Sequence, residues 1–537
     1  MMASVHPFPL FNLQDSHNEA ISFGQTSVSS GLSLAFKLQS SICLATVEGI
    51  APLDVCRLIA DSSEQTLTEC TLATIESLLG QYSYNNDQWS FNPGLLARKG
   101  EYITVWANQL LEDPQLITSL AASVSTGTIQ VPLAHLHRGV PFTAQTLLVG
   151  SNIIVLGSHV ELAELETYWP NLYQDINLTA EFYDRIAVED AQNYVGFLKG
   201  IAKSSHQTTL NADAIDRLLR LSSRWAGHSG CLSLQTSKFK HLLREASAYS
   251  DQSSLSAQDI QVALSNIEKR TLQLARDSYR DFVEGTMKLQ VTGDIVGQVN
   301  GLTVVEVGDI AYGEPARITA TVHYGDGDVI DIERKAELAG NIHAKGTMIL
   351  AAYVAQIFGK DAPLHLSANI VFEQSYYEVD GDSASLAELV ALMSALARIP
   401  VHQSMAVTGA IDQFGYVQAI GGINEKIEGF YTVASMMAPN HSFSIVMPKS
   451  NLIQLNLNDT CAEAVQNGRL KIHTVEHVSE AVELLMSTPS GAGAENEVHQ
   501  YPKGTVFAKV HHRLGDLAEP DDERIGLLGL IRSFFSR

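Results

Sequence analysis

The chain is poor in positive charge, in cysteine and in long apolar runs, and each shortage excludes a class of function. Lysine and arginine number 35 against 59 aspartates and glutamates, a formal net charge of −24. Such a surface repels polyanions, so nucleic acid is not expected as a partner. The five cysteines, Cys43, Cys56, Cys70, Cys231 and Cys461, are scattered, odd in number and form no Cys-x-x-Cys pair. No disulfide framework or zinc ribbon follows from them. His135 and His137, like His511 and His512, have no carboxylate or thiolate set beside them in sequence. They read as surface or core histidines, and no metal is expected. No uninterrupted apolar stretch reaches the roughly 18 residues of a spanning helix. Residues 1–11 lack the basic flank and apolar run of a signal peptide. The expectation is a cytoplasmic protein without an integral membrane segment. Also missing is any Gly-x-x-x-x-Gly-Lys-Ser/Thr loop, the backbone cradle for nucleotide phosphates, and no cofactor is expected.

What is present is ample core. Hydrophobic residues make up 45% of the 537, and mean hydropathy is +0.04. At about 150 residues per domain that length suggests three or four units. Residues 1–20 read as a polar lead-in. A helical pattern from Phe23 to Leu38, a buried strand from Ile42 to Val47 and a helix from Pro52 to Ala60 open the first folded region. Strand-like runs follow at 102–108, 146–150 and 152–157, then helix over 187–201. Residues 210–270 read as helical throughout. Strands return beyond about 276, with a run at 299–305 and strict alternation at 316–322. A helix over 342–358 and a strand over 364–370 lead on to strands 401–408 and 414–419, which bracket a turn at 409–412. Later strands fall at 443–447 and 470–475, with helices near 458–467 and 476–486. The class is α/β and α+β, multidomain. Ser487 to Ala494 has the composition of a flexible linker. The tail beyond it ends in Ile525, Leu527, Leu528, Leu530, Ile531, Phe534 and Phe535, an apolar face expected to dock on protein.

Two short segments carry chemistry. One is Glu378-Val379-Asp380-Gly381-Asp382-Ser383-Ala384-Ser385, the other Gly421-Gly422-Ile423-Asn424-Glu425-Lys426. Ser383 starts one helical pattern, and Lys426, 43 residues on, starts another. Serine is a poor nucleophile at neutral pH unless a base lies within hydrogen-bond reach. Lysine is such a base only when neutral, which burial favours. Ala384, Leu386, Ala387, Leu389, Val390 and Leu392 follow the serine, and Ile423, Ile427, Phe430 and Tyr431 flank the lysine. The reading is a Ser–Lys dyad in a dry pocket. Gly381 is expected to allow a tight approach, and a helix start at Ser383 offers backbone N–H groups to an oxyanion. The Gly-x-Ser-x-Gly nucleophile elbow is not met, because Ser385 stands where its second glycine belongs. Glu373 and Asp380 are nearby acids expected to hydrogen-bond the dyad or order its loop, with Asp382 as a further supporting group.

Asp380 to Ser385 resembles the active-site segment of the Lon proteases in its archaeal-type (LonB) spelling; bacterial ATP-dependent members usually carry proline at the position of Asp382. Gly421 to Lys426 resembles the family's lysine segment at matching spacing, and Thr408-Gly409-Ala410 resembles the strand end between the two. The resemblance covers about 270–487 and extends more thinly over 20–270. It implies a degenerate AAA+-like α/β domain at 21–205 and a helical lid at 206–275. A Lon-type α+β serine protease domain follows at 276–487, with linker and tail at 488–537. It implies that Thr408 positions Lys426 by hydrogen bonding, that substrates are proteins or unfolded peptides, and that the chain forms a homo-oligomer, a hexameric ring. In that frame Glu48-Gly49-Ile50-Ala51-Pro52-Leu53-Asp54 stands where a phosphate loop belongs. It keeps one glycine, has no lysine, and places Glu48 and Asp54 where they repel phosphate. Tyr102 to Asn108 stands where the strand with an acidic pair belongs and ends without one. Archaeal-type members carry membrane helices in this region and this chain departs from them. The expectation is a Ser–Lys endopeptidase that works without ATP hydrolysis. The alternatives are an ATP-dependent protease with a divergent nucleotide site and a non-catalytic holdase on the same scaffold.

Overall fold

A computed structural model describes residues 22–85, 88–130, 147–191, 193–206, 208–250, 252–308, 310–325, 329–332, 340–359, 366–374, 381–494 and 501–518. The chain divides into two compact units, Leu10–Asn266 and Ile267–Arg537.

The first unit is built on five parallel strands: β1 (Ile42–Ala45), β2 (Thr66–Glu69), β3 (Glu101–Trp106), β4 (Asn152–Gly157) and β5 (Leu178–Glu181), in the order β2-β3-β4-β1-β5. Parallel strands are covered on both faces and therefore read as continuous apolar runs. All four residues of β1 are buried accordingly. Helix α1 (Thr26–Leu38) precedes β1, and α2 (Pro52–Ser62) follows it with proline in its first turn, where a missing N–H costs nothing. Beyond the sheet come α3 (Tyr194–His206), α4 (Ala212–Ala226), α5 (Thr236–Tyr249) and α6 (Ala257–Thr271). Two expectations are corrected here. Within the described part of the run at 146–150 only a single bridge forms, Leu148 to Thr128. The helix expected from 187 starts at Tyr194, because Ala187 ends a short strand, Arg185–Ala187, paired with Cys231–Ser233.

In the second unit α7 (Gln273–Glu284) leads into a seven-stranded mixed sheet. Its strands are β6 (Gln298–Val307), β7 (Ile310–Tyr324), β8 (Val329–Asp331), β9 (Leu366–Phe372), β10 (Met405–Val407), β13 (Phe443–Pro448) and β14 (Leu470–Val475). They lie in the order β8-β9-β7-β6-β10-β13-β14. A small hairpin, β11 (Ala410–Ile411) with β12 (Val417–Gln418), follows β10. Besides a short helix at Asp459–Gln466, the described helices are α8 (Asn341–Phe358), α9 (Ser385–Ala397), α10 (Ile423–Met437), α11 (Val478–Met486) and α12 (Val506–Ala518). The sheet carries a core on each face. Val446 of β13 joins the cluster around α9, while its neighbours Ile445 and Met447 join the cluster around α10, the alternation expected of a strand. Every residue of α9 is buried. That is why its sequence shows no polar stripe.

Two further expectations change. Within 409–412, Ala410–Ile411 is strand rather than turn. The chain reverses at Asp412–Gly415, where Asp412 Oδ1 accepts the N–H groups of Phe414 and Tyr416, each at 2.9 Å, and Gly415 takes φ +86°. Ser487–Ala494 is packed rather than a loose linker: Ser490 donates its N–H and hydroxyl to Glu483 at 2.9 and 2.8 Å. Within the expected polar tail α12 buries Val506, Phe507, Val510, Leu514 and Leu517 in the same core as α9. Their helical spacing is interleaved with His511, His512 and Arg513, which makes the stretch look polar by composition. The lead-in 1–20 and the apolar end 525–535 lie outside the described residues. Among those described, no helix is long and apolar enough to cross a membrane.

Candidate active site

The turn before α9 presents Ser383. Gly381 takes φ +95°, a conformation that favours glycine, and nothing lies within 4 Å of where its Cβ would be. Glycine is needed there for backbone direction and not for the tight approach expected. The turn is stitched to the end of β10. The Ser383 carbonyl accepts the Gly409 N–H at 2.9 Å and the Thr408 hydroxyl at 3.1 Å. Leu386 N–H bonds the Gly409 carbonyl at 3.1 Å, and Ser385 Oγ accepts the Ile411 N–H at 3.1 Å. Among the described residues the amides of Ser383 and Ala384 have no acceptor.

Helix α10 presents Lys426 one turn into its length. Its cap, Gly422, takes φ +64° and lies against Val304. Two buried asparagines hold this helix start. Asn451 accepts the Ile420 N–H at 3.0 Å and donates to the Ile420 carbonyl at 2.8 Å. Asn424 donates to the Gln454 carbonyl at 2.9 Å and accepts the Asn456 N–H at 2.7 Å. The helix then crosses β7 at backbone distance, and both sides of the crossing are glycine. A Cβ on Gly429 would lie 2.0 Å from the Gly313 carbonyl oxygen. One on Gly313 would lie 2.0 Å from the Glu425 carbonyl oxygen and 2.7 Å from Lys426 Cα.

The two helix starts meet. Lys426 Nζ lies 2.8 Å from Ser383 Oγ. Lys426 is only 2% exposed, and loss of water pulls its ammonium from 10.5 down to about 8, the charge of Asp382 pulling the other way. A tenth or so of the lysine is then neutral at pH 7, against less than a thousandth for a free one. The pair can therefore move a proton from hydroxyl to amine at neutral pH.

The remaining expected residues divide. Asp382 faces the lysine as a charge. Thr408 is buried at the site, but its hydroxyl serves the serine carbonyl rather than Lys426, so its expected role is corrected to holding the turn that carries Ser383. Among the described residues, Glu373 bonds neither Ser383 nor Lys426. It accepts from Thr319 at 2.9 Å and pairs with Arg317 at 3.6 Å, because it directly follows β9, which lies beside β7. Asp380 lies outside the described residues, as do His135 and His137. His512 pairs with Asp516 at 3.3 Å, and His511 meets the Tyr501 ring. Among the described residues no three His, Cys, Asp or Glu side chains are grouped to hold a metal.

Sequence reasoning missed Gly313, Gly429 and Asn451. The first two left a signal, since a lone glycine inside a strand or a helix marks close backbone approach. Asn451 left none.

Comparison with known proteins places this geometry. Residues 279–488 match the model of the Lon protease (S16) C-terminal proteolytic domain, and residues 209–270 match that of the archaeal LonB AAA+ ATPase LID domain. A Lon protease homolog of Haemophilus influenzae is 37% identical over 398 residues, spanning 73% of this chain and 66% of the relative. One of Escherichia coli is 33% identical over 437 residues, spanning 80% of this chain and 74% of the relative. An archaeal Lon protease of Archaeoglobus fulgidus is 26% identical over 365 residues, spanning 67% of this chain and 55% of the relative. Ser383 and Lys426 both fall within the matched proteolytic domain, and by these likenesses the chain belongs to the Lon protease family.

Proposed function

We propose that this chain is a serine endopeptidase in which Lys426 is the general base for Ser383, that it cleaves unfolded proteins or peptides, and that it works without hydrolysing ATP. The observation that carries the reading is a buried lysine 2.8 Å from a serine hydroxyl, brought down to about 8 by desolvation. Neutral Lys426 takes the hydroxyl proton as Oγ bonds to the scissile carbonyl carbon. The resulting oxyanion is held by the amides of Ser383 and Ala384 at the start of α9. Collapse breaks the C–N bond, and the leaving amine takes the proton from Lys426. Water then attacks the acyl ester and gives its proton to Lys426, which returns it to Oγ as the product acid leaves.

Residues 21–205 are read as a degenerate AAA+-like domain, 206–275 as its helical lid, 276–487 as the protease domain and 488–537 as a C-terminal extension. The interior place of β1 in a parallel sheet, paired on both sides, supports the first assignment. The loop after β1 supports loss of nucleotide use. Asp54 is paired with Lys240 of α5 at 2.8 Å, the Gly49 carbonyl accepts the Ser237 N–H at 3.1 Å, and Gln235 packs where a Gly49 side chain would be. Phosphate in that loop would displace these groups and face Glu48 and Asp54. The assembly is read as a hexamer, to be checked by light scattering.

The test is degradation of an unfolded protein by wild type and Ser383→Ala, with and without Mg-ATP. Cleavage by wild type alone, at one rate in both conditions, is expected. ATP-stimulated cleavage would transfer the reading to an ATP-dependent protease. Binding without cleavage by either protein would transfer it to a holdase.

A further inference from the structure

Five residues beyond the nucleophile, the wholly buried helix α9 carries a carboxylate. Glu388 is 2% exposed, and one group facing it is His343 of α8, also 2% exposed, with Nδ1 3.7 Å from Glu388 Oε1. The mechanism above uses neither residue. A carboxylate and an imidazole are costly to take out of water, and an otherwise apolar helix has no need of them for packing. The imidazole is also fixed from the side, since the Phe372 ring of β9 meets it edge to face at 5.5 Å between centroids.

The location of the pair gives it a task. Residues three and four apart share one face of a helix, so His343, Gly346 and Thr347 of α8 look the same way. Gly346 is where α8 meets the nucleophile turn: a Cβ there would lie 3.2 Å from Asp382 Cβ and 3.6 Å from Ser385 Cβ. Glu388 in turn belongs to the first closed turn of α9, its N–H bonding the Ala384 carbonyl at 3.0 Å. The pair therefore joins the stretch of α8 that backs Asp382 and Ser385 to the helical turn that begins at Ser385. Ser383 lies between those two anchored residues.

We infer that His343 and Glu388 are positioning residues, a buried cross-helix clamp that holds the Asp382–Ser385 turn so that Ser383 Oγ stays in reach of Lys426. The inference rests on the peptidase reading of Ser383 and Lys426. It separates from a purely structural role because buried ion pairs are often replaceable by apolar residues of similar size with no loss of stability. A clamp of defined length and direction is not replaceable in that way.

The experiment uses the full chain and compares wild type, His343→Leu/Glu388→Leu, Glu388→Gln and Ser383→Ala. Three quantities are read: melting midpoint, kcat and KM on an unfolded substrate, and the rate at which a fluorophosphonate labels Ser383. The double leucine variant is expected to melt no lower than wild type, yet to lose at least tenfold in kcat and in labelling rate while KM moves less than twofold. Glu388→Gln keeps the shape and a polar oxygen facing His343 and is expected within about threefold of wild type. Wild-type kcat and labelling in a folded double leucine variant would overturn the clamp. So would a fall in kcat matched by a fall in the folded fraction, with Glu388→Gln failing in the same way. A wild type that neither cleaves nor labels, like Ser383→Ala, would overturn the peptidase reading itself and the clamp with it. An active wild type beside an unaffected variant overturns the clamp alone.

Discussion

Two of the lysines that sit 2.8 Å from a partner have opposite fates. Lys240, in the first unit, meets the carboxylate of Asp54 with 30% of its side chain exposed. Lys426, in the second, meets the hydroxyl of Ser383 and is 2% exposed. The first contact is an ion pair beside the loop after β1, which the proposed reading takes for a lost phosphate loop. The second joins a lysine amine to a serine hydroxyl at the start of a helix. The side chain and the distance are the same, so the difference lies in the partner and in the water removed. A cation paired with a carboxylate at the surface is a latch of small energy. A lysine stripped of water beside a neutral hydroxyl is a base. In the proposed reading, reactivity in the second unit is built by burial. The corresponding loop in the first unit is occupied by groups of its own chain.

The sharpest break in that comparison is removal of the reactive pair. Ser383→Ala should lower hydrolysis by about a thousandfold or more while leaving the melting midpoint within a degree or two, since removing a nucleophile typically costs that much. Lys426→Arg should be nearly as damaging, because arginine stays charged and cannot accept the proton. Substrate turnover by purified variants checks both, and wild-type turnover in either would move the chemistry elsewhere.

Next in size is the glycine crossing that places the lysine. Gly429→Ala puts a methyl 2.0 Å from a backbone oxygen of β7, and no side-chain rotation relieves it. Helix α10 must lift, three residues from Lys426. Overpacking of this kind costs about 1–3 kcal/mol, and a displacement of about 1 Å at the dyad costs about a hundredfold in rate. Denaturant unfolding and single-turnover cleavage of the same preparation measure the two. Retained activity in a destabilised variant would mean that the crossing supports the fold and not the dyad.

These two cases also mark what is legible in the sequence. Ser383 and Lys426 can be read because their apolar neighbours are adjacent in the chain, so burial is visible before any fold is known. Most helices of the second unit and most strands of its sheet fall where periodicity puts them, for the same reason. The glycine crossing joins Gly313 to Gly429 across more than a hundred residues, and only the sheet topology brings them together. Thr408 shows the limit of a resemblance: it marks the right place, but the hydroxyl's partner is set by the end of β10 and the turn before α9. Helix α12 is missed because its apolar spacing is masked by histidine and arginine on its outer face. Glu388 is visible as the one charge in an apolar run, yet its partner His343 is 45 residues upstream in another helix.

A smaller effect, graded rather than absolute, is expected from pH. With Lys426 near 8, the first-order rate should rise about tenfold per unit below that value and level off above it. Stability carries the same signature. A lysine held at about 8 when folded and 10.5 when unfolded binds more protons in the unfolded state between those values, so stability rises with pH across that window and is least below 8. The penalty at pH 7 is about 3 kcal/mol. Lys426→Met should therefore be inactive but more stable at pH 7, by up to roughly that amount, and should lose the rise between pH 8 and 10.5. Denaturant titrations at pH 7 and pH 10 test it. An equal stability change at both would place the lysine in contact with water.

The smallest effect belongs to the other lysine. If the Asp54–Lys240 latch only seals a loop that no longer takes nucleotide, breaking it should cost what a part-exposed ion pair costs, about 0–1 kcal/mol. Screening adds to this, since salt weakens contacts between exposed charges. Lys240→Ala should then leave peptide cleavage within twofold of wild type, and Mg-ATP should bind neither protein at micromolar concentration. Loss of the latch uncovers Asp54 and leaves Glu48 in place, which makes the loop more repellent to phosphate and not less. Asp54→Lys is the more demanding variant. It removes one of the two repelling acids, supplies a cation near where phosphate would sit, and sets it against Lys240 so that the contact must open. Calorimetry with Mg-ATP on both variants reads the outcome. Micromolar binding to wild type or to Lys240→Ala would show that the loop still serves nucleotide, and the contrast between the two lysines would then be one between two working sites. Binding to Asp54→Lys alone would instead identify charge at this loop as what ended nucleotide use.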